Sequence, residues 1–287
     1  MAKVDINGIG IAYDIIGSGD RAVAITPGGR FSKDTPGIRE LAEKLAEGGL
    51  KVLIWDRPNC GESDVSFSGE TESIMNADAL AGLIEHLGLG KVLLVGGSAG
   101  SRVSLITAAR HPDQIAGQFL VWITGGPIGL AILCGVYCGD AAVTAIRRGM
   151  DAVADMPGWK ETLERNPANR ARIVDQAVPA FIDIMQRWAE SFFPKENSPV
   201  PGLLPSEFAA MKMPVMILRS GESDMHHPRV TTEQVHAAIP GSHIAEPPWG
   251  DNEWNDRMVA AAKGEGLFAR YPLLAPQILD FAKQVWM

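Results

Sequence analysis

Cysteine is scarce. The 287-residue chain has three, Cys60, Cys134 and Cys138, an odd number that cannot make an even disulfide framework. The pair at 134 and 138 has neither a histidine nor a further cysteine at metal-ligand spacing. Free thiols in a reducing compartment are the expectation, with no metal site. Positive charge is also in deficit: 26 Lys+Arg against 34 Asp+Glu, net −8, with no long block of one sign. That excludes nucleic acid and anionic membrane surfaces as expected partners. No apolar run reaches the roughly 18 residues of a membrane span, and the first residues lack the charged, apolar and small-residue succession of a secretory leader. The expectation is a cytoplasmic protein. Internal repeats, low-complexity tracts and cofactor motifs are absent too.

What is present is a large apolar fraction, 46%, enough for a sizeable core and for one large domain or a domain with an insertion. The chain is organised around Gly96-Gly97-Ser98-Ala99-Gly100. An apolar run, Lys91–Val95, precedes it, and a helix-like stretch, Ser101–Arg110, follows. G-x-S-x-G alone is weak among 31 glycines. A buried strand running into a small-residue turn and then a helix is the setting that a nucleophile elbow requires, with the serine hydroxyl raised above the sheet edge. Read more plainly, the glycines turn the chain and Ser98 caps a helix.

The flanking pattern supports the elbow. Lys3–Ile6 and Ile9–Ile16 straddle Asn7-Gly8, a hairpin signature. Strands are expected at Ala22–Ile25, Lys51–Trp55, Ile115–Ile123, Val215–Arg219 and His243–Glu246, and helices at Ile38–Glu47, Ile74–Leu87, Thr231–Ile239 and Leu273–Val285. A hairpin followed by repeated strand–helix units calls for a mainly parallel sheet covered on both faces. From about Leu130 to Phe193 there are helical patterns and no strand, broken by Pro157, Pro167, Pro179 and Pro194. This reads as a helical cap over the strand ends, residues 127–202, inserted in a core of residues 1–126 and 203–287. Most of its aromatics, Trp159, Phe181, Trp188, Phe192 and Phe193, are expected in the cap's own core.

This order, with its elbow, resembles the α/β-hydrolase fold of capped serine hydrolases over nearly the whole chain. Asp56-Arg-Pro-Asn-Cys-Gly-Glu-Ser-Asp64 looks like the D-x-P-G-x-G-x-S-D loop of capped members, with Asn59 at a usual glycine. Thr26-Pro27-Gly28-Gly29 sits where the family carries its H-G oxyanion loop, with Pro27 replacing the histidine. The resemblance implies Ser98 as nucleophile, the amides of Gly29 and Ala99, with Arg30 as an option, as oxyanion donors, and Asp224, after the penultimate strand, as the triad acid. His86 and His111 fall in segments that are structural in the family.

The family's base follows the last strand, and there this chain reads Glu246-Pro-Pro-Trp-Gly-Asp-Asn-Glu-Trp254, without histidine. A serine without an acceptor for its proton is a poor nucleophile. His227, then His226, both close behind Asp224, are the substitutes; the bland reading of His-His-Pro is a loop whose imidazoles cap backbone groups. His236 and His243 rank lower. A carboxylate base, Asp251 or Glu246, would need its pKa raised by burial beside Trp249 and Trp254. Arg30 and Gly28, at the oxyanion loop, are candidate substrate contacts, Arg30 for a substrate carboxylate, as is Arg57, with surface ion pairs as the plainer reading for the arginines. Trp249 is a further candidate substrate contact.

The resemblance therefore implies a hydrolase of small, largely apolar carboxylic esters or lactones working through an acyl-enzyme on Ser98. Carbon–carbon bond hydrolysis of β-diketone or ring-cleavage products is the alternative on the same serine. A binding protein that kept the pocket and lost turnover is the rival from another class. The serine at position 98 argues against carboxylate-dependent dehalogenation. The expected partner is a small-molecule substrate, no cofactor is implied, and a homodimer is left open.

Overall fold

Eight strands form one sheet in a computed structural model that describes residues 2–287. The hairpin β1 (Ala2–Ile6) and β2 (Ile9–Ile16) turns at Asn7 and Gly8, whose φ values of 55° and 82° match the turn that suits twisted strands. Next come β3 (Ala22–Thr26), helix α1 (Ile38–Glu47), β4 (Lys51–Trp55), α2 (Glu72–His86), β5 (Val92–Gly97), α3 (Ala99–Arg110) and β6 (Ile115–Val121). The sheet order is β1-β2-β4-β3-β5-β6, completed by β7 (Val215–Leu218) and β8 (His243–Ala245). Only the β1–β2 and β2–β4 pairs are antiparallel. All residues of β3 and β5 are buried, as their unbroken apolar runs require of central strands covered on both faces. With the parallel strands pointing one way, the loops after β3, β5, β6 and β7 meet at a single edge of the sheet.

Between β6 and β7 the chain is mainly helical, with α4 (Pro127–Cys134), a π-turn at Gly135–Gly139, α5 (Asp140–Ala154), α6 (Lys160–Arg165), α7 (Asn169–Val174) and α8 (Val178–Glu190), followed by an irregular stretch at 191–204. Helix α9 (Pro205–Ala210) returns the chain to β7, after which come α10 (Arg229–Ala238), α11 (Glu253–Ala262) and α12 (Ala275–Val285). Trp159, Phe181 and Trp188 surround Phe67 of the core at centroid distances of 6.0, 5.3 and 5.9 Å. These three are buried, as expected, but they pack on Phe67 and not only among themselves, whereas Phe193 is exposed and Phe192 reaches the cavity.

The expectation about apolar runs needs correction. The stretch Pro127–Arg165 contains a helix long and apolar enough, by length and composition, to cross a membrane. Its apolar character starts in Pro127–Gly139 and is spread over two faces. Leu130, Cys138, Ala141 and Ala145 are buried, while Ile128, Val136, Val143 and Ile146 are exposed. At Gly149 the backbone leaves helical geometry, with φ 80°.

Candidate functional site

The strand–turn–helix at Ser98 has the backbone that the motif requires. Ser98 has φ 57° and ψ −121°, a conformation costly for any residue with a Cβ, directly between β5 and α3. Close packing maintains it. A Cβ on Gly100 would lie 1.9 Å from the Thr26 carbonyl oxygen, and one on Gly28 would lie 2.6 Å from Ser98 Cβ. Neither position tolerates a side chain, so the β3 loop is pressed onto the elbow.

His227 supplies the imidazole. Ser98 Oγ lies 2.8 Å from His227 Nε2, and His227 Nδ1 lies 2.7 Å from Asp224 Oδ2. An ionised carboxylate at Nδ1 fixes the tautomer, so Nδ1–H donates to Asp224 and Nε2 accepts from the serine hydroxyl. The other carboxylate oxygen, Oδ1, accepts the backbone amides of His226 and His227 at 3.0 Å each. Burial would raise the Asp224 carboxyl, but the bond and charge of His227, together with Arg257, hold it below the usual range. Burial also draws His227 below its ordinary value, against the upward pull of Asp224. The imidazole is thus neutral and able to take a proton near neutral pH.

The remaining histidines and acids stand elsewhere. His226 packs edge-on against Trp254 at 5.1 Å and lines the cavity, without joining the serine chain. His236 meets Ser242, His111 meets Asp78, and His86 and His243 are exposed. The carboxylate bases considered from the sequence are displaced: Asp251 is exposed and ion-paired with Arg229, and Glu246 pairs with Arg219 at 3.2 Å. Trp249 is also corrected, since it packs 5.3 Å from Trp122 while Trp254 lines the cavity instead.

The β3 loop is held by its carbonyls. Arg57 Nη2 donates to the carbonyl oxygens of Gly28, at 3.1 Å, and Gly29, at 2.5 Å. Because a trans peptide points its N–H opposite its C=O, the amides of Gly29 and Arg30 face away from Arg57. Gly28, Gly29 and Ala99 all line the cavity with Ser98. Arg57 is therefore a prop for this loop. The D-x-P loop is equally built: Asn59 takes the left-handed φ of 70° at the family's glycine, which asparagine tolerates. Its side chain donates to Glu72 Oε1 at 2.8 Å and accepts from the Ser66 amide at 2.9 Å.

Two partners of the triad escaped the sequence reading. Arg257, on α11, places Nη2 3.3 Å from Asp224 Oδ2 and its guanidinium 3.8 Å above the Trp122 ring. Its Nε lies 3.1 Å from Glu253 Oε1, close enough for an ion pair though poorly aligned for a hydrogen bond. Burial raises Glu253 to about 7, against the counter-pull of Arg257. The cavity above Ser98, about 190 Å³, is walled by Phe31, Leu133, Tyr137, Phe192, Leu267 and Phe268. Among the described residues no group of three or more His, Cys, Asp or Glu is placed to hold a metal ion.

Comparison with known proteins agrees with this geometry. A family model described as the alpha/beta hydrolase fold matches residues 29–124, the span that holds the β3 loop and the elbow. The chain has the α/β-hydrolase fold. Among α/β-hydrolases, it is 26% identical to the human serine hydrolase BPHL over 87% of this chain and 79% of that one. It is 27% identical to the 2-hydroxy-6-oxo-6-phenylhexa-2,4-dienoate hydrolase of Comamonas testosteroni over 45% of this chain, spanning only 44% of that relative's length. The solved enol-lactonase of Burkholderia xenovorans LB400 superposes with a TM-score of 0.57 at 22% identity, covering 92% of this chain and 97% of that one. The chain is a hydrolase of this fold.

Proposed function

We propose that this α/β-hydrolase cleaves a small carboxylic ester or lactone through an acyl-enzyme on Ser98. The observation that carries the reading is the unbroken chain Ser98 Oγ–His227 Nε2–Asp224 at 2.8 and 2.7 Å, opening into a small cavity of largely apolar wall. Ser98 Oγ attacks the carbonyl carbon as its proton passes to His227 Nε2. The amides of Ala99 and Gly29 receive the oxyanion. Collapse breaks the bond to the alkoxide, which takes the proton from Nε2. In the second half, Nε2 takes a proton from water, the hydroxide attacks the acyl carbon, and the acid leaves as Ser98 recovers its proton. Asp224 keeps the imidazole in the working tautomer and stabilises its charged form.

Carbon–carbon bond hydrolysis on the same serine is the second reading, favoured by the relative from Comamonas testosteroni. The binding-protein reading has less support, because a serine, a neutral imidazole and an ionised carboxylate at these distances serve no purpose in binding alone. Intact-mass labelling with a fluorophosphonate tests the reading on wild type, Ser98→Ala and His227→Ala. One adduct on wild type and none on either variant is the expected result. A folded wild type that never labels overturns it, and labelling that survives in His227→Ala overturns the choice of base.

A further inference from the structure

The charges around the cavity do not balance. Apart from Arg257, which has its own carboxylates, three guanidiniums line it, Arg30, Arg57 and Arg102, against one carboxylate, Glu72. Arg57 gives Nη2 to the β3-loop carbonyls, while its Nε has no acceptor. Arg30 lies 3.9 Å over the Trp159 ring and 3.4 Å from Glu72 Oε1, an oxygen that also accepts from Asn59. Arg30 Nη1 is left without a partner. Arg102 is 4% exposed and forms no ion pair with any described carboxylate. Its Nη2 donates to the Ser191 carbonyl, at 3.1 Å, and hydroxyl, at 3.3 Å, its plane lies 5.0 Å from the Phe192 ring, and its Nε has no acceptor. Burial draws Arg102 down to about 10, which still leaves it charged at neutral pH.

A buried cation whose opposite charge, Glu72, acts on it only from beyond ion-pair distance and is shared with Arg30 is costly to keep, by several kcal/mol per ion. The edge formed by Nη2 and Nε packs against Ser191 and Gly202, which leaves Nη1 as the donor without a protein partner. Position matters as well. Arg102 follows Ser98 by one turn of α3, its amide 3.3 Å from the Ser98 carbonyl, and one turn advances about 5.4 Å. A molecule reacting at Ser98 thus reaches this cation with a short arm. Ser73 and the buried Asn76, whose Oδ1 also lacks a partner, line the same cavity.

We propose that this part of the cavity is a carboxylate subsite: the substrate is an ester or lactone carrying a carboxylate a few bonds from the scissile carbonyl, received by the guanidiniums of Arg102 and Arg30 where they line the cavity. The proposal rests on the reading of Ser98 as nucleophile and narrows it. The carboxylate supplies a counter-charge at contact distance and, through charge-assisted hydrogen bonds, fixes the carbonyl over Ser98.

Glutarate tests binding apart from chemistry. Calorimetry on Ser98→Ala should show glutarate bound and dimethyl glutarate not, with affinity for glutarate lost about 10- to 100-fold in Ser98→Ala/Arg102→Met. In protein with Ser98 intact, the ratio of kcat/KM for mono-4-nitrophenyl glutarate over its methyl ester should fall by a similar factor in Arg102→Met and recover in part in Arg102→Lys. An unchanged ratio in a folded Arg102→Met, leaving Arg102 as a tie to the cap alone, overturns the subsite. Should Arg102 variants fail to fold, protection of Ser98 from fluorophosphonate by glutarate but not by its diester in wild type supports it, and equal protection overturns it. The two readings fail separately. Arg102-dependent glutarate binding with an unreactive serine removes the hydrolase and keeps the subsite, whereas a reactive serine indifferent to the carboxylate does the reverse.

Discussion

Asp224 and His227 lie three residues apart in one loop, yet they face each other as acid and base, Nδ1 to Oδ2 at 2.7 Å. The turn that allows this is held by Asp224 itself, whose second oxygen accepts the amides of residues 226 and 227. One carboxylate therefore orients both the ring and the backbone that carries it. The segment after β8, where the family places its base, contributes instead a cation, Arg257, that holds Asp224 ionised.

The pH profile should report this arrangement. Attack needs neutral His227, whose buried pKa lies below the ordinary 6.5, so kcat/KM rises with pH and reaches half its plateau below pH 6.5. Arg257 is among the groups that lower His227. Arg257→Met removes that charge and leaves Asp224 without its second cation, which favours protonated imidazole, while Glu253, neutral below about pH 7, takes no part. The acid limb of the labelling-rate profile should move to higher pH in Arg257→Met and less in Arg257→Lys; a limb that stays in place refutes the coupling.

Arg57 offers a separate test of the oxyanion loop. Its two bonds hold the carbonyls of Gly28 and Gly29, so Arg57→Met should let that loop rotate and lose one aligned donor. Removal of a single oxyanion donor costs about 10²- to 10³-fold in kcat elsewhere, and loss of a prop should cost roughly a tenth to all of that. Steady-state kinetics read the effect: a fall in kcat with little change in KM is expected. A change in KM alone would assign Arg57 to substrate binding.

Legibility of the site followed the locality of its causes. Ser98 was readable because strand, small-residue turn and helix are contiguous, and His227 and Asp224 because one loop holds both. Asn59 at the family's glycine was a legible departure, whose explanation, a positive φ with two side-chain hydrogen bonds, is not. Trp249 and Trp254 were indistinguishable in a segment of prolines and glycines, and only packing against Trp122 separates them. Arg257 gave no signal, since α11 starts inside that segment and its partner lies 33 residues away. Arg102 carried one that went unread, its spacing of four from the nucleophile. The membrane-length helix was missed because its apolar residues are interrupted by glycines and Asp140.

Glu253 should make the fold pH-sensitive. Its folded pKa, about 7, is raised from 4.5 by burial. A raised pKa means the folded state binds the proton more tightly than the unfolded one, so stability is greatest below pH 4.5 on this account and declines as pH rises to about 7. The difference corresponds to at most about 3 kcal/mol. Glu253→Gln, neutral at every pH, should therefore raise Tm relative to wild type at pH 8 and lose that advantage at pH 5. Thermal unfolding at the two values decides it, and a difference independent of pH would show that the side chain is charged throughout.

The backbone at Ser98 permits a comparison of two inactive variants. Ser98→Ala and Ser98→Gly both delete the hydroxyl and its bonds to His227 and Thr124, and they differ in the Cβ. At φ 57° and ψ −121° that Cβ is strained, a cost on the order of 1–3 kcal/mol that glycine escapes. Glycine loses about 0.5–1 kcal/mol through the greater freedom of its unfolded chain. The balance favours Ser98→Gly over Ser98→Ala by roughly 1 kcal/mol, or about 2–4 °C in Tm for a chain of this size. Equal melting temperatures would mean that the elbow relaxes once the hydroxyl is gone. A more stable glycine variant would mean that packing around Gly28 and Gly100 imposes the strain, and that folding energy is spent on aiming Oγ at the cavity before any substrate arrives.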